Sequence, residues 1–230
     1  MERNNISLVI PAYNEEQRIE AVLLSYANKF PNQEIIVVCD GCVDATPDIV
    51  TKLSSKHSQI KLLNFRERLG KGGAIIEGLK AAGGDKIGFV DADESVAPDD
   101  VEKMLDALLD NDGVIASRKL KTSIILVKQP LKRRLASKAF NMVVRAMFGL
   151  NFKDTQCGAK VFRKEAIKTV LPELKTAGFE FDVELLWRFK SKGYRVIEFP
   201  ITWKHSEGST FRLSHAPRMF FSLLKVRLWR

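Results

Sequence analysis

The sequence predicts an α/β protein with a mostly parallel central sheet flanked by helices. Short β-rich runs alternate with segments of helical spacing through the first half of the chain, and acidic residues gather where those runs end. Such alternation places helices on both faces of the sheet.

The elements follow in order. "ISLVIPAY" reads as the first strand, and Asn14 behind it as a helix cap with Gln17 three residues on. Ile19, Val22, Leu23 and Tyr26 then repeat at helical spacing. "EIIVVC" and "IKLLNF" are the second and third strands, and the glycine-rich "ERLGKGGA" turns into a helix at Lys71. After the strand "KIGFVDA", Pro98, Asp99 and Asp100 suit a first helical turn, and Val101, Met104, Leu105 and Leu108 form its stripe. "GVIAS" closes the alternating half.

From Lys119 the character changes. "KLKTSIILVK" is basic, aperiodic and expected to be flexible. A helix follows from Pro130 to about Phe148, with Leu135, Ala139, Met142, Val143, Ala146 and Met147 on one side and cations on the other. The strand "AKVFR", a helix over about 182–192 in which Asp182 and Glu184 read as structural, and a strand "YRVIEFPITW" complete the fold. The tail "HAPRMFFSLLKVRLWR" mixes apolar residues with Arg218, Lys225, Arg227 and Arg230, which suits a membrane surface or docking on the domain. Without internal repeats or linkers, the chain reads as one domain over 1–230 with halves 1–117 and 118–230.

The 230 residues, 45% of them hydrophobic, suffice for a core. No apolar run reaches the roughly 20 residues that cross a bilayer, so the expected location is cytoplasmic, peripheral on the cytosolic membrane face. With 37 basic against 28 acidic residues, the formal charge of +9 calls for a polyanionic partner. A nucleic-acid-binding module would account for the charge, but acids clustered at strand ends oppose it. The cysteines are Cys39, Cys42 and Cys157. "CDGC" lacks the further ligands of a zinc site and reads as a turn rather than the helix start of a redox pair, so small residues at a strand end are the expected meaning.

In open parallel sheets, ligands bind beyond the carboxyl ends of the strands. "GFVDADES" places Asp91 and Asp93 there, and residues two apart on an extended segment point the same way. Two carboxylates so close repel unless a cation sits with them, and hard oxygens in small number suit Mg²⁺ or Mn²⁺ completed by diphosphate and water. Pro11, Ala12, Tyr13 and Glu15 end the first strand, and Asp40 and Asp44 the second. In the glycine-rich turn, backbone N–H groups and Lys71 suit phosphates. A nucleotidyltransferase would show a glycine-rich loop after the first strand, where this chain has "PAYNEE".

Together, "IPAYNEE", the Asp-Gly turn, "GKGGA", "DAD", "ASR", "DTQCGAKVF", "FEFDVELL" and "GST" resemble, in order, the inverting family 2 glycosyltransferases of the nucleotide-diphospho-sugar transferase (GT-A) fold. The later motifs look most like the dolichyl-phosphate (polyprenyl-phosphate) β-glucosyltransferases. Departures are Cys39 where an acid is usual, Cys42 where Ser is usual, and Thr210 where Lys is frequent, with Arg212 nearby.

The resemblance implies a UDP-sugar donor, UDP-glucose in the first instance, and a polyprenyl or dolichyl phosphate acceptor. GDP-mannose and a hydroxyl acceptor are the alternatives. Donor binding falls to Pro11, Ala12, Tyr13, Glu15, Asp40, Lys71, Asp91, Ala92 and Asp93, with Asp91 and Asp93 on the metal. Arg118, Arg133 and Ser137 are the acceptor candidates, and Asp154 the catalytic carboxylate beside Asp93. A phosphate acceptor, with a second pKa of about 6, is already a nucleophilic oxyanion. His205, in a polar loop, is read as inert.

Overall fold

The structure, a computed structural model, describes residues 5–127, 131–204 and 216–228, with side chains omitted for 131–134 and 216. Strands β1 (Ile6–Ala12), β2 (Glu34–Asp40), β3 (Ile60–Phe65) and β4 (Lys86–Val90) alternate with helices α1 (Ile19–Lys29), α2 (Thr46–Ser54) and α3 (Lys71–Ala81). Helix α4 (Pro98–Ala107) leads through a short turn that buries Leu108 into β5 (Gly113–Ser117). The second half runs β6 (Ile124–Val127), α5 (Leu131–Phe148), β7 (Ala159–Arg163), α6 (Lys164–Val170), α7 (Phe181–Ser191), β8 (Val196–Pro200), β9 (Thr202–Lys204) and α8 (Ala216–Leu228).

Seven strands form one sheet in the order β3-β2-β1-β4-β7-β5-β8. All neighbours are parallel except around β7, which runs antiparallel to both β4 and β5. Helices α1, α2 and α4 bury Ile19, Leu23, Val50, Val101 and Met104 on one face. Helices α3, α6 and α7 bury Ile75, Leu79, Ile167, Phe181 and Phe189 on the other. A third cluster joins α5, α7 and α8 through Val144, Phe148, Leu186, Leu223 and Val226. This double cover explains why the central strands are apolar on both faces.

Several expectations are corrected. Asn14 does not cap α1: it adopts a left-handed φ of 54° and its Oδ1 accepts from the Val43 N–H, leaving the helix to start at Ile19. On α5 the stripe chosen from the sequence is the wrong one. Leu135, Met142 and Val143 are exposed, Met142 at 68%, whereas Asn141, Val144 and Phe148 face inward. Apolar residues occur around much of this helix, so its partners α7 and α8, and not its periodicity, select the buried face. "KLKTSIILVK" is not uniformly irregular, because it holds β6, which pairs in parallel with β9. The single strand expected over "YRVIEFPITW" divides at Ile201, with β8 in the main sheet and β9 in the small one.

The tail docks through Met219, Leu223 and Val226, while Phe220, Phe221, Leu224 and Leu228 stay exposed. Arg227 Nε donates to the Met147 carbonyl at 3.2 Å. Among the described residues, no helix is long and apolar enough to cross a membrane.

Candidate active site

The carboxyl ends of β1, β2 and β4 open into one solvent-open cleft with about 110 Å³ of room for water-sized molecules. Pro11, Ala12, Tyr13 and Glu15 line it from β1, Asp40 from β2, Lys71 from α3, and Asp91, Ala92 and Asp93 from β4. The structure thus brings together every residue assigned to the donor and the metal. Asp44, by contrast, serves the backbone, accepting from Glu16 N at 3.1 Å and Thr46 N at 3.0 Å. These bonds clamp the loop after β1 to the loop after β2.

Sequence reasoning missed Arg18, Arg68 and Phe179 on the cleft wall. Arg68 lies over the Tyr13 ring, 3.4 Å from its centroid, and its Nε donates to Asp40 at 3.1 Å. Asp40 also accepts from Leu69 N, so it orders the segment that leads to Lys71. The basic residues of "RERLGK" were the available signal, but nothing local told which of them turned inward. Phe179 comes from a loop more than eighty residues beyond Asp93; it opens the quoted stretch "FEFDVELL", which was the available signal, but nothing there pointed to this cleft.

The acidic pair is not equivalent. Asp91 Oδ1 lies 2.6 Å from Lys71 Nζ, and Asp93 Oδ1 accepts from Ser95 N at 3.0 Å. Burial works against the Lys71 charge, but Asp91 and Asp182 outweigh it and lift its pKa to about 12, so the ammonium persists at neutral pH. Glu15, paired with Arg18, is raised above the ordinary carboxylate value, first by burial and then by the nearby Asp93 and Asp91. Glu15, Asp40, Asp91 and Asp93 are therefore concentrated here and only partly offset by Arg18, Arg68 and Lys71.

Gly158 fixes the Asp91 position from β7: a Cβ there would fall 1.9 Å from Asp91 Oδ2. The Asp91 N–H also donates to the Gly158 carbonyl at 2.9 Å. Among the described residues, no group of three or more His, Cys, Asp or Glu side chains is arranged to hold an ion. Asp91 and Asp93 nevertheless fit Mg²⁺ or Mn²⁺ in the manner of sites in which phosphate oxygens and water complete the shell.

The glycine-rich turn is also a packing device. A Cβ at Gly70 would meet the Ala177 carbonyl oxygen at 2.5 Å, and one at Gly72 would meet Phe181 Cβ at 2.5 Å. The Gly73 N–H donates to the Ala177 carbonyl at 3.1 Å. These glycines let α3 pack against the 177–181 loop, and of the turn it is Lys71 that reaches the cleft.

Asp154, 1% exposed, lies beside the end of β5. It accepts from Arg118 Nε at 2.7 Å, Arg118 Nη2 at 2.8 Å and the Arg118 backbone N–H at 3.0 Å. Burial alone would raise its pKa, but Arg118 and then Lys119 hold it well below the usual aspartate value. A carboxylate so engaged orients an arginine and is a weak proton acceptor. Lys119 Nζ sits 4.0 Å from the same carboxylate. Ser137 lies half-buried on α5. The Arg133 side chain, His205, Thr210 and Arg212 fall outside the described residues.

Asp182 and Glu184 do begin α7, and both are buried. Asp182 pairs with Lys160 at 2.6 Å, and Glu184 accepts from Thr176 N and Thr176 Oγ1 at 2.8 Å each.

Comparison with known proteins agrees with this architecture. A glycosyl transferase family 2 model matches residues 7–171. The dolichyl-phosphate beta-glucosyltransferase of Saccharomyces cerevisiae is 32% identical over 236 residues, covering 91% of this chain and 70% of that protein. The human protein of the same name is also 32% identical, over 89% of this chain and 68% of its own. Glycosyltransferase AglD of Haloferax volcanii is 32% identical over 86% of this chain, which spans only 33% of that longer protein.

Among solved structures, glucosyl-3-phosphoglycerate synthase from Mycobacterium tuberculosis, in complex with Mn²⁺, UDP-glucose and phosphoglyceric acid, superposes with a TM-score of 0.73. It is 20% identical, with 98% of this chain and 80% of that one covered, a likeness of fold. A parallel sheet with β7 inserted, a cleft at its carboxyl edge and relatives aligned along nearly all of its length lead to one conclusion: the chain belongs to the family 2 glycosyltransferases and has their GT-A fold.

Proposed function

We propose that the protein transfers glucose from UDP-glucose to a polyprenyl or dolichyl phosphate, with inversion and with Mg²⁺ or Mn²⁺ bound. The supporting observation is the meeting of Asp91, Asp93 and Lys71 in one cleft with Tyr13 and Asp40, in a chain whose relatives include proteins named dolichyl-phosphate beta-glucosyltransferase. Tyr13, Asp40 and Arg68 frame the end of the cleft suited to a nucleoside, and Asp91 and Asp93 would hold the ion. When bound, the ion supplies Lewis-acid stabilisation of the departing diphosphate. Lys71 adds a fixed positive charge for the same oxygens.

The acceptor phosphate carries its own nucleophilic oxyanion, so no strong base is required. Its charge must instead be held close to a second anionic substrate. Arg118, locked by Asp154, and the neighbouring Lys119 provide that charge, with Ser137 and the sequence candidate Arg133 as further acceptor contacts to be tested by substitution. A hydroxyl acceptor would require a base, and Asp154, with both oxygens engaged by Arg118, is poorly suited to that task.

The lipid chain would lie along exposed apolar residues of β6, namely Ile124, Leu126 and Val127. The outward side of α8 would rest on the membrane surface, with Arg218 and Lys225 at anionic headgroups.

The test is incubation with Mn²⁺ and labelled UDP-glucose, GDP-mannose or UDP-N-acetylglucosamine, with and without polyprenyl phosphate. Label is expected in the organic phase from UDP-glucose only, and only with the lipid present. A chelator should abolish it, and added Mn²⁺ should restore it. Transfer from GDP-mannose alone would overturn the donor assignment, and transfer unaffected by chelation would overturn the metal role.

A further inference from the structure

We propose that Cys39 and Cys42 are a dithiol modification site, converted by small-molecule disulfides into an intramolecular disulfide that disables the sugar-nucleotide cleft. The regulatory consequence rests on the function proposed above, whereas the covalent site does not. Cys39 is the penultimate residue of β2, is fully buried, and pairs in register with Ala12 of β1. Cys42 is half-buried and donates from Sγ to the Ala12 carbonyl at 3.4 Å. Cys42 also packs against the apolar cluster that contains Cys39, so both cysteines meet Ala12 of β1. Small residues filling a strand end would explain Cys39 but not a second thiol anchored on the same residue of β1.

Zinc is disfavoured, because no third ligand joins the pair among the described residues. What lies between the cysteines is Asp40 and Gly41, and Ala12 and Asp40 both line the cleft. Gly41 has a left-handed φ of 63°, and a Cβ there would meet Arg68 Cδ at 3.0 Å, so the turn is closely held.

The chemistry follows from the unequal environments of the two sulfurs. The hydrogen bond from Cys39 is the largest influence lowering the Cys42 pKa, to about 7, whereas Cys39 is raised by giving that bond and by burial. Cys42 thiolate attacks one sulfur of a disulfide RSSR, releasing one RSH and leaving Cys42 as a mixed disulfide. Cys39 then loses its proton, attacks the Cys42 sulfur and releases the second RSH. The dithiol gives up two electrons and two protons, and RSSR takes them as two RSH. Cys157, buried and pushed up to about 12 chiefly by that burial, stays a thiol.

Oxidation removes the S–H proton with which Cys42 holds the Ala12 carbonyl. It also forces the short loop to satisfy disulfide geometry, with a Cβ–S–S–Cβ dihedral near about 90°. Asp40 is carried along, and with it the Arg68 and Leu69 contacts that order the approach to Lys71. A dithiol reductant reverses the change.

The full chain is equilibrated with mixtures of oxidised and reduced glutathione, quenched with acid, alkylated in denaturant so that the buried Cys39 and Cys157 react, and mass-mapped. In parallel, UDP-glucose transfer and amide exchange over residues 66–71 are measured. The expected result is loss of two alkylatable thiols, a mapped Cys39–Cys42 bridge, loss of transfer, faster exchange over 66–71, and recovery with dithiothreitol. Cys42→Ser should keep basal transfer and ignore the oxidant. Three alkylatable thiols under every mixture would overturn the site. A bridge formed with transfer unchanged would overturn the switch. Should the reduced protein show no UDP-glucose transfer, the proposed function fails by itself, and the exchange then decides: a bridge that leaves residues 66–71 unchanged also overturns the switch.

Discussion

Gly158 governs where the Asp91 carboxylate can lie, because any side chain there would occupy the space of Asp91 Oδ2. Gly158→Ala should displace Asp91 and lower kcat/KM about 100-fold, the order expected for a misplacement near 1 Å. Circular dichroism should show the fold retained. Asp93→Ala should reduce transfer to background without altering thermal unfolding, since Asp93 is half-buried in a loop and its one described bond is to Ser95 N. Normal turnover in either variant would remove that residue's assigned role. Asp154 gives a pH prediction. Its folded pKa is depressed, so its contribution to stability is full above the unfolded value near 4 and disappears as pH falls through the lower folded value. Urea midpoints should fall from about pH 5 to about pH 2, and less steeply in Asp154→Asn. At this scale the cleft lining was largely legible, because its motifs follow the carboxyl ends of β1, β2 and β4; the extended spacing assumed for Asp91 and Asp93 was not the cause, since the chain turns directly after Val90. Arg68 and Phe179 were not, since their inward orientation depends on contacts with Asp40 and on a loop distant in sequence.

Helix α7 shows an element whose acids serve the structure, as their place in its first turn suggested. Asp182 and Glu184 are buried carboxylates that tie the helix to β7 and to the 175–176 segment. Lys160, fully buried, donates to Asp182 and to the Cys157 carbonyl at 2.8 Å. Lys160→Met should leave Asp182 buried without its partner and destabilise the protein by about 3–5 kcal/mol, measured by chemical denaturation. The double variant Lys160→Met with Asp182→Leu should recover most of that loss, and failure to recover would count against a paired charge as the cause. Elements with one-sided patterns, such as α4, were readable from spacing alone. Helix α5 was not, because its sequence permits two stripes and only the packing of Val144 and Phe148 against α7 and α8 decides between them.

At the scale of the whole molecule, α8 docks by one side and presents Phe220, Phe221, Leu224 and Leu228 outward, with Phe221 at 62% exposure. Replacing Phe221 and Leu224 with Glu should abolish sedimentation with anionic vesicles and slow transfer to vesicle-borne lipid, without changing the melting temperature. Sedimentation equal to that of the unaltered protein would overturn the membrane role of this surface. The alternating topology was visible in the sequence, yet the place of β7 was not, because a five-residue strand carries no mark of which neighbours it will join. Its insertion between β4 and β5 means that the two halves of the chain are interlocked. A fragment ending at residue 117 would lose the β7 that separates β4 from β5, and with it Gly158 against Asp91. Chimeras meant to graft a relative's lipid preference onto this protein must therefore exchange the peripheral segments around 118–150 and 201–228 while leaving β7 native, or the transplanted enzyme would inherit an exposed, sticky sheet edge along with its new specificity.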